Sequence, residues 1–363
     1  MCKKMYDYWL YGLMGIGRKT FFLLKGEGYD GFELYYCDED KLPSFLSQKQ
    51  KNSIKIGKKR SQQDILYEYE KLEKQGIFMT VFGDADYPKR LYNIPDAPAV
   101  LFYKGHLPKE DQKNIAIIGA RNCSQYGKAV AEEFATCFAK NGVSIVSGMA
   151  IGVDGYAQMS AVRAGGFSVG VLGSGVNVCY PREHAGLYNN LIQKGCVMSE
   201  YLPYINASPN LFPPRNRIIS GLSDAILVVE AKEKSGTLIT VEMALEQGKE
   251  VYVVPGRITD ELSKGCNRLL LEGANPVISP KKMLEDLYGD LYEDEIKEKK
   301  KEENEVKKLI LSFLEITPLH INVLRERTGF PLEVIARELL QLVLEDKVIQ
   351  VGNQWYQINT KQL

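Results

Sequence analysis

Arg215 and Arg217 flank Asn216 directly after Pro213-Pro214. Proline fixes φ for the first turn of a helix and lacks the N–H that goes unpaired there anyway. The spacing predicts a helix start carrying two permanent cations beside unpaired N–H groups, which attracts anions and phosphate above all. Farther on, Ser235-Gly236-Thr237 repeats the arrangement without the charge. Three more small-residue turns precede these. GARNCSQYGK brings the backbone at Gly119 close to a ligand, Arg121 adds a forked cation, and Ser124 suits a cap or a phosphate. It is not a Walker A loop: seven residues rather than four separate Gly119 from Gly127-Lys128, and Ala129 replaces the magnesium-binding hydroxyl. SGMAIGVDG starts at Ser147-Gly148, with Asp154 read as a helix cap. GSGVNVCYPREH starts at Gly173 and offers Tyr180 and Arg182. It lacks the third glycine of a dinucleotide fingerprint, and no acidic residue ends the next strand in register, which argues against NAD.

Catalytic groupings are sparse. His106, His184 and His320 fall in three regions without a G-x-S-x-G elbow, and His184 reads as a rim or cap residue. Glu230 and Glu242 bracket the Ser-Gly-Thr turn as a conceivable acid–base pair. Their plainer readings are a strand-end carboxylate orienting a neighbour and a solvated helix face. Four arginines (Arg121, Arg182, Arg215, Arg217) on one sheet edge exceed what a single phosphate needs. Such a row matches a strand of phosphates, with Tyr180 or Phe212 to stack a base.

The elements that position these turns follow from hydrophobic runs. IAIIG, VSIVSG, SVGVLG, CVMSE, AILVVE, EVYVVPG and NPVIS are short, nearly continuous apolar segments separated mostly by helical patterns. Continuous rather than alternating runs indicate parallel strands covered on both faces. The fold class is therefore α/β, a Rossmann-like doubly wound and mostly parallel sheet over 106–285, with its ligand site at the carboxyl ends of the strands. Residues 1–105 read as a helical domain closed by a proline-broken connector. Within it Gly15-Ile16-Gly17 is a tight turn of the sort a helix-hairpin-helix also uses, and Lys51 to Arg60 is a basic run read as surface. Residues 286–304 are a charged linker, and 305–363 give three helices and a hairpin, a winged-helix pattern. Its third helix has a negative balance around Glu333, Glu338, Glu345 and Asp346, unlike a groove reader.

Lys plus Arg and Asp plus Glu are equal at 46 each, so any affinity for nucleic acid must be local. Seven scattered cysteines without a C-x-x-C spacing argue against a disulfide framework or a zinc site, and fit a cytoplasmic protein. No apolar run reaches membrane-spanning length.

GARNCSQYG, SGMAIGVDG, VLGSGVNVCYPREH, FPPRNRIISGLS, VVEAKEKSGTLIT and KGCNRLLLEGA, in this order, resemble the bacterial DNA-processing protein A family, also called Smf. The resemblance implies a cytoplasmic recombination mediator without enzymatic activity or cofactor. Such a protein binds and protects incoming single-stranded DNA in natural transformation, forms a homodimer through the sheet domain and loads a RecA-type recombinase. It also implies a sterile-alpha-motif-like N-terminal domain and a winged-helix C-terminal domain. Arg121 and Arg182 are the implied phosphate contacts, with Arg215 and Arg217 in the same pocket as ligands or as its charged scaffold. The other turn residues (Gly119, Ser124, Lys128, Ser147, Gly148, Gly173, Tyr180, Asn216, Ser235, Gly236, Thr237) complete the expected DNA-binding set. Ala120 departs from the usual serine, Asn177 from a frequent aspartate, and His184 from a common asparagine. Two other classes compete. One is a phosphoribohydrolase using Glu230 or Glu242 near Thr237, although Lys234-Ser235-Gly236-Thr237 replaces that class's Gly-Gly-x-Gly-Thr. The other is a nucleotide sensor without turnover.

Overall fold

The computed structural model describes residues 3–289, 305–314 and 317–359. They form two compact units, Met1–Met283 and Leu284–Leu363.

The first unit starts with five helices: α1 Lys4–Tyr11, α2 Arg18–Gly26, α3 Gly31–Tyr36, α4 Gln48–Gly57 and α5 Gln62–Lys74. Their starts are written locally. Asp30 with Glu33 and Ser47 with Gln50 form reciprocal capping boxes on α3 and α4, and Ser61 caps α5. Met5, Trp9 and Leu10 of α1 pack with Leu34, Ile54 and Ile65 into one apolar cluster.

Next come β1 Phe78–Val81, β2 Val100–Gly105, β3 Asn114–Ile118, α6 Gln125–Lys140, β4 Ser144–Ser147, α7 Val153–Arg163 and β5 Ser168–Val171. α8 Ala185–Lys194, β6 Cys196–Ser199, α9 Phe212–Leu222, β7 Ala225–Val228 and α10 Gly236–Glu246 follow. β8 Glu250–Val253, α11 Lys264–Leu271 and β9 Asn275–Pro276 close the series, and α12 Pro280–Tyr288 runs past the unit boundary at Met283. The nine strands lie in the order β1-β2-β6-β5-β4-β3-β7-β8-β9. From β6 across to β9 every pairing is parallel. The seven apolar runs all become strands, and β3 to β7 are buried at every position, so the unbroken hydrophobicity reflects cover on both faces.

Two strands were not expected as part of this sheet. β1 and β2 pair antiparallel with each other, and β2 pairs antiparallel with β6. Residues 78–105, assigned by sequence to the helical domain, thus extend the sheet, and Val81, Val100 and Phe102 join the core of the five helices. Strands this short carry no signal of a partner far along the chain.

The chain winds from β3 outward to β6, then returns to place β7 on the other side of β3. That reversal is the switch point of the sheet, where a crevice opens beyond the strand ends.

In the second unit, helix α13 (305–313) is followed by β10 Leu319–His320, α14 Ile321–Thr328, α15 Leu332–Leu344, β11 Val348–Gly352 and β12 Trp355–Ile358. β12 pairs antiparallel with both β10 and β11. Ile310, Leu324, Ile335, Leu339 and Leu342 form the core. Three helices and a hairpin agree with the sequence pattern, and β10 is additional. α15 ends at Leu344, so Glu345 and Asp346 lie past it, and Glu338 is buried. The acidic balance read along this helix is therefore not on its exposed face. Of the expected charged linker, 290–304 lies outside the described residues, and 286–288 belong to α12.

Candidate functional site

A cavity of about 560 Å³ occupies the switch point. Its wall on one side is the turn after β3, Gly119 to Asn122, and on the other the loop from Lys232 to Thr237 between β7 and α10. The first turns of α9 form its floor, through Phe212, Arg215 and Asn216. A smaller compartment of about 140 Å³ shares Arg121, Tyr180, Phe212 and Arg215 with it and reaches Gly148 and Gly173.

α9 begins as the two prolines predict, with Pro213 and Pro214 in its first turn. Its arginines, however, point inward. Arg215 is 5% exposed and donates from Nη1 to the Gly148 carbonyl at 2.8 Å and to the Val171 carbonyl. Gly148 permits this contact, because a Cβ there would sit 2.7 Å from both terminal guanidinium nitrogens. Burial pulls the Arg215 pKa down to about 10, partly offset by Asp154. Asp154 is buried too, and its own pKa is raised by that burial against the pull of Arg215 and of backbone hydrogen bonds from Gly148 and Gly119. Asp154 does not cap α7: the N-cap is Gly152, and the Asp154 carboxylate accepts from Gly148 N–H at 3.1 Å across its own turn.

Arg217 is spent entirely on structure. Nη1 and Nη2 donate to the two carboxylate oxygens of Glu200 at 2.7 and 2.6 Å, and Nε donates to the Asp96 carbonyl at 2.7 Å. Burial opposes its charge, yet the Glu200 pairing dominates and raises its pKa. It does not line the cavity. Of the two scaffold-or-ligand arginines, Arg217 is scaffold, and Arg215 reaches the cavity wall while its bonds hold the β4 and β5 ends.

The free charge lies elsewhere. Arg121 is exposed, with its guanidinium carbon 5.5 Å from the centre of the Phe212 ring. Tyr180 and Phe212 face each other at 5.6 Å between ring centres, and Tyr180 is half exposed. Lys232 and Lys234, both exposed, stand on the opposite wall. Sequence reading missed these lysines and Asn122. Their signal was their place in the turns after β7 and β3, on either side of the chain reversal. The Asp154 carboxylate in the lining is buried and accepts from Gly148 N–H, so the exposed charges at the mouth are cationic.

Several predicted residues serve the frame. Ser124 caps α6, accepting from Gly127 N–H, while its hydroxyl and its own N–H donate to the two oxygens of Glu230. Glu230 is thus the strand-end carboxylate that orients a neighbouring turn. Ser147 donates to the Ile117 carbonyl at 2.7 Å and is buried. Ser235 caps α10, accepting from Thr237 N–H, and Gly236 and Thr237 line the cavity. Lys128 lines a different hollow, and Arg182 stands exposed beyond the cavity lining. His320 caps α14, and Glu242 is exposed on α10. Among the described residues no His, Cys, Asp and Glu cluster could hold a metal, and no helix is long and apolar enough to cross a membrane.

Fold and site together define a doubly wound α/β domain that presents a cationic, aromatic-lined cavity at its switch point. The sequence profile of DNA recombination-mediator protein A matches residues 78–288. The Smf protein of Escherichia coli is 37% identical over 268 residues, covering 71% of each chain. DprA of Streptococcus pneumoniae is 42% identical over 201 residues, 55% of this chain and 71% of that one. Its X-ray structure superposes with a TM-score of 0.67 at 33% identity, covering 78% of this chain and 98% of that one. A structure of Helicobacter pylori DNA processing protein A, concerned with that protein's single-stranded DNA binding mode, gives 0.54 at 29% identity over 59% and 96% of the two chains. The chain belongs to the DNA-processing protein A (DprA/Smf) family of DNA recombination mediators.

Proposed function

We propose that this protein binds single-stranded DNA at the switch-point cavity and acts as a non-catalytic recombination mediator in the cytoplasm. One observation carries the reading: exposed Arg121, Lys232 and Lys234, none of them in a salt bridge among the described residues, surround a facing Tyr180–Phe212 pair. Cations that track a backbone beside rings that accept any base are what a sequence-tolerant single-strand site requires. The H. pylori relative, whose structure concerns single-stranded DNA binding, supports the same ligand. Arg182, exposed beside Tyr180-Pro181, extends the row.

The hydrolase alternative fits poorly. Both oxygens of Glu230 are taken by Ser124, and neither Glu230 nor Glu242 lines the cavity. Family membership further supports loading of a RecA-type recombinase during natural transformation, a homodimer formed through the sheet domain, and a winged-helix domain over 305–363. Replacing Arg121→Glu and Arg182→Glu together should abolish the gel shift of an oligo-dT while leaving the melting temperature unchanged. Retained affinity in that folded variant overturns the site.

A further inference from the structure

This inference rests on the reading of the main cavity as the seat of a DNA strand. A third hollow of about 240 Å³ opens between α6, α7 and the short turn Arg182–His184. It shares Ile151 with the smaller compartment of the main site, and Ile151 is 46% exposed. One exposed apolar side chain therefore lines both. The Arg182–His184 turn also links the two: Tyr180 and Pro181 line the compartment, His184 lines the hollow, and exposed Arg182 lies between them in the chain.

The hollow is equipped for a polyanion. Lys128 and Arg163 line it with Glu132 as the opposing carboxylate, and neither cation is in a salt bridge among the described residues. Lys128 Nζ lies 4.9 Å from the centre of the Tyr156 ring, so the cation is held over an aromatic face beside the opening. His184 is also fixed. Its Nδ1 lies 3.0 Å from the Met149 carbonyl and must donate to it, which leaves Nε2 as the second polar atom of the ring. The ring lies against Gly155, where a Cβ would come within 2.2 Å of Cε1. A lone surface lysine over a tyrosine would be ordinary packing. Two cations without a salt bridge among the described residues, an anchored imidazole and an exposed ring in a hollow that shares Ile151 with the smaller compartment are more than packing requires.

We propose that the strand leaving the main cavity crosses Ile151 and continues into this hollow, where Lys128 and Arg163 take backbone phosphates and Tyr156 supports a base. The test uses the full chain with oligo-dT of about six and about twenty nucleotides, lengths chosen to fill one site or both. In the Lys128→Glu/Arg163→Glu variant, affinity for the long oligomer should fall about tenfold or more while the short one binds as before. The salt slope for the long oligomer should shrink by about 1.4, the share of two phosphate contacts on a single strand. The Lys128→Gln/Arg163→Gln pair, with its melting temperature measured, should show the same length selectivity in a weaker form. Unchanged binding of the long oligomer, or an equal loss at both lengths, overturns the proposal. The Arg121→Glu/Arg182→Glu variant separates the two levels. If it leaves short-oligomer binding intact, the main-cavity reading fails and this one with it. If it abolishes that binding while the Lys128 and Arg163 changes do nothing, only the continuation fails.

Discussion

Arg215 on the floor of the cavity and Arg217, buried outside its lining, carry the same charge as Arg121 in the wall and Arg182 beyond it, but in the opposite setting. The buried pair is 5% and 8% exposed and bonded to carbonyls and to Glu200, whereas the exposed pair stands in solvent without an ion pair among the described residues. A buried guanidinium has lost its hydration, so it is stable only where fixed acceptors replace water, and those acceptors then hold the loops they belong to. An exposed one keeps its donors available for a phosphate and gives up counterions when it binds. Arginine beside a ligand cavity is thus two kinds of residue, and its accessibility and its partners decide which.

The largest expected effect belongs to the buried pair. Arg217→Ala strands the buried Glu200 carboxylate and frees the Asp96 carbonyl, and should cost about 3–5 kcal/mol of stability in denaturant melts. A loss below about 1 kcal/mol would show that Arg217 is not the strut described, and would break the contrast with the exposed pair. A smaller effect, on binding rather than stability, belongs to the aromatic pair. Tyr180→Ala should weaken oligo-dT binding by about 1–3 kcal/mol, the value of stacking one base, with an unchanged salt slope. A changed slope with unchanged affinity would instead make Tyr180 a bystander to a phosphate contact.

The sequence carried the sheet because burial on both faces leaves an unmistakable pattern: five of the seven runs, IAIIG among them, are buried throughout in β3 to β7. The Ser124 cap was legible for the same local reason, as it accepts from a backbone N–H three residues on, whereas Asp154, read as a cap, lies inside α7 behind Gly152. The fate of each arginine was not. Arg217 is bonded to Glu200, one residue past β6, and to Asp96 before β2, partners that only the folded sheet brings together. Lys232 and Lys234 were hidden for the converse reason. Exposed lysines in an AKEKSG loop look like any solvated turn until the reversal beside β3 places them across from Arg121.

The central claim is that the cavity takes a strand rather than a single nucleotide. Titrating the full chain with oligo-dT, duplex of the same length and thymidine monophosphate at two salt concentrations tests it directly. The account predicts that the single strand binds tightest, weakens steeply with salt and displaces the mononucleotide. A saturable mononucleotide affinity that DNA does not compete away would contradict it.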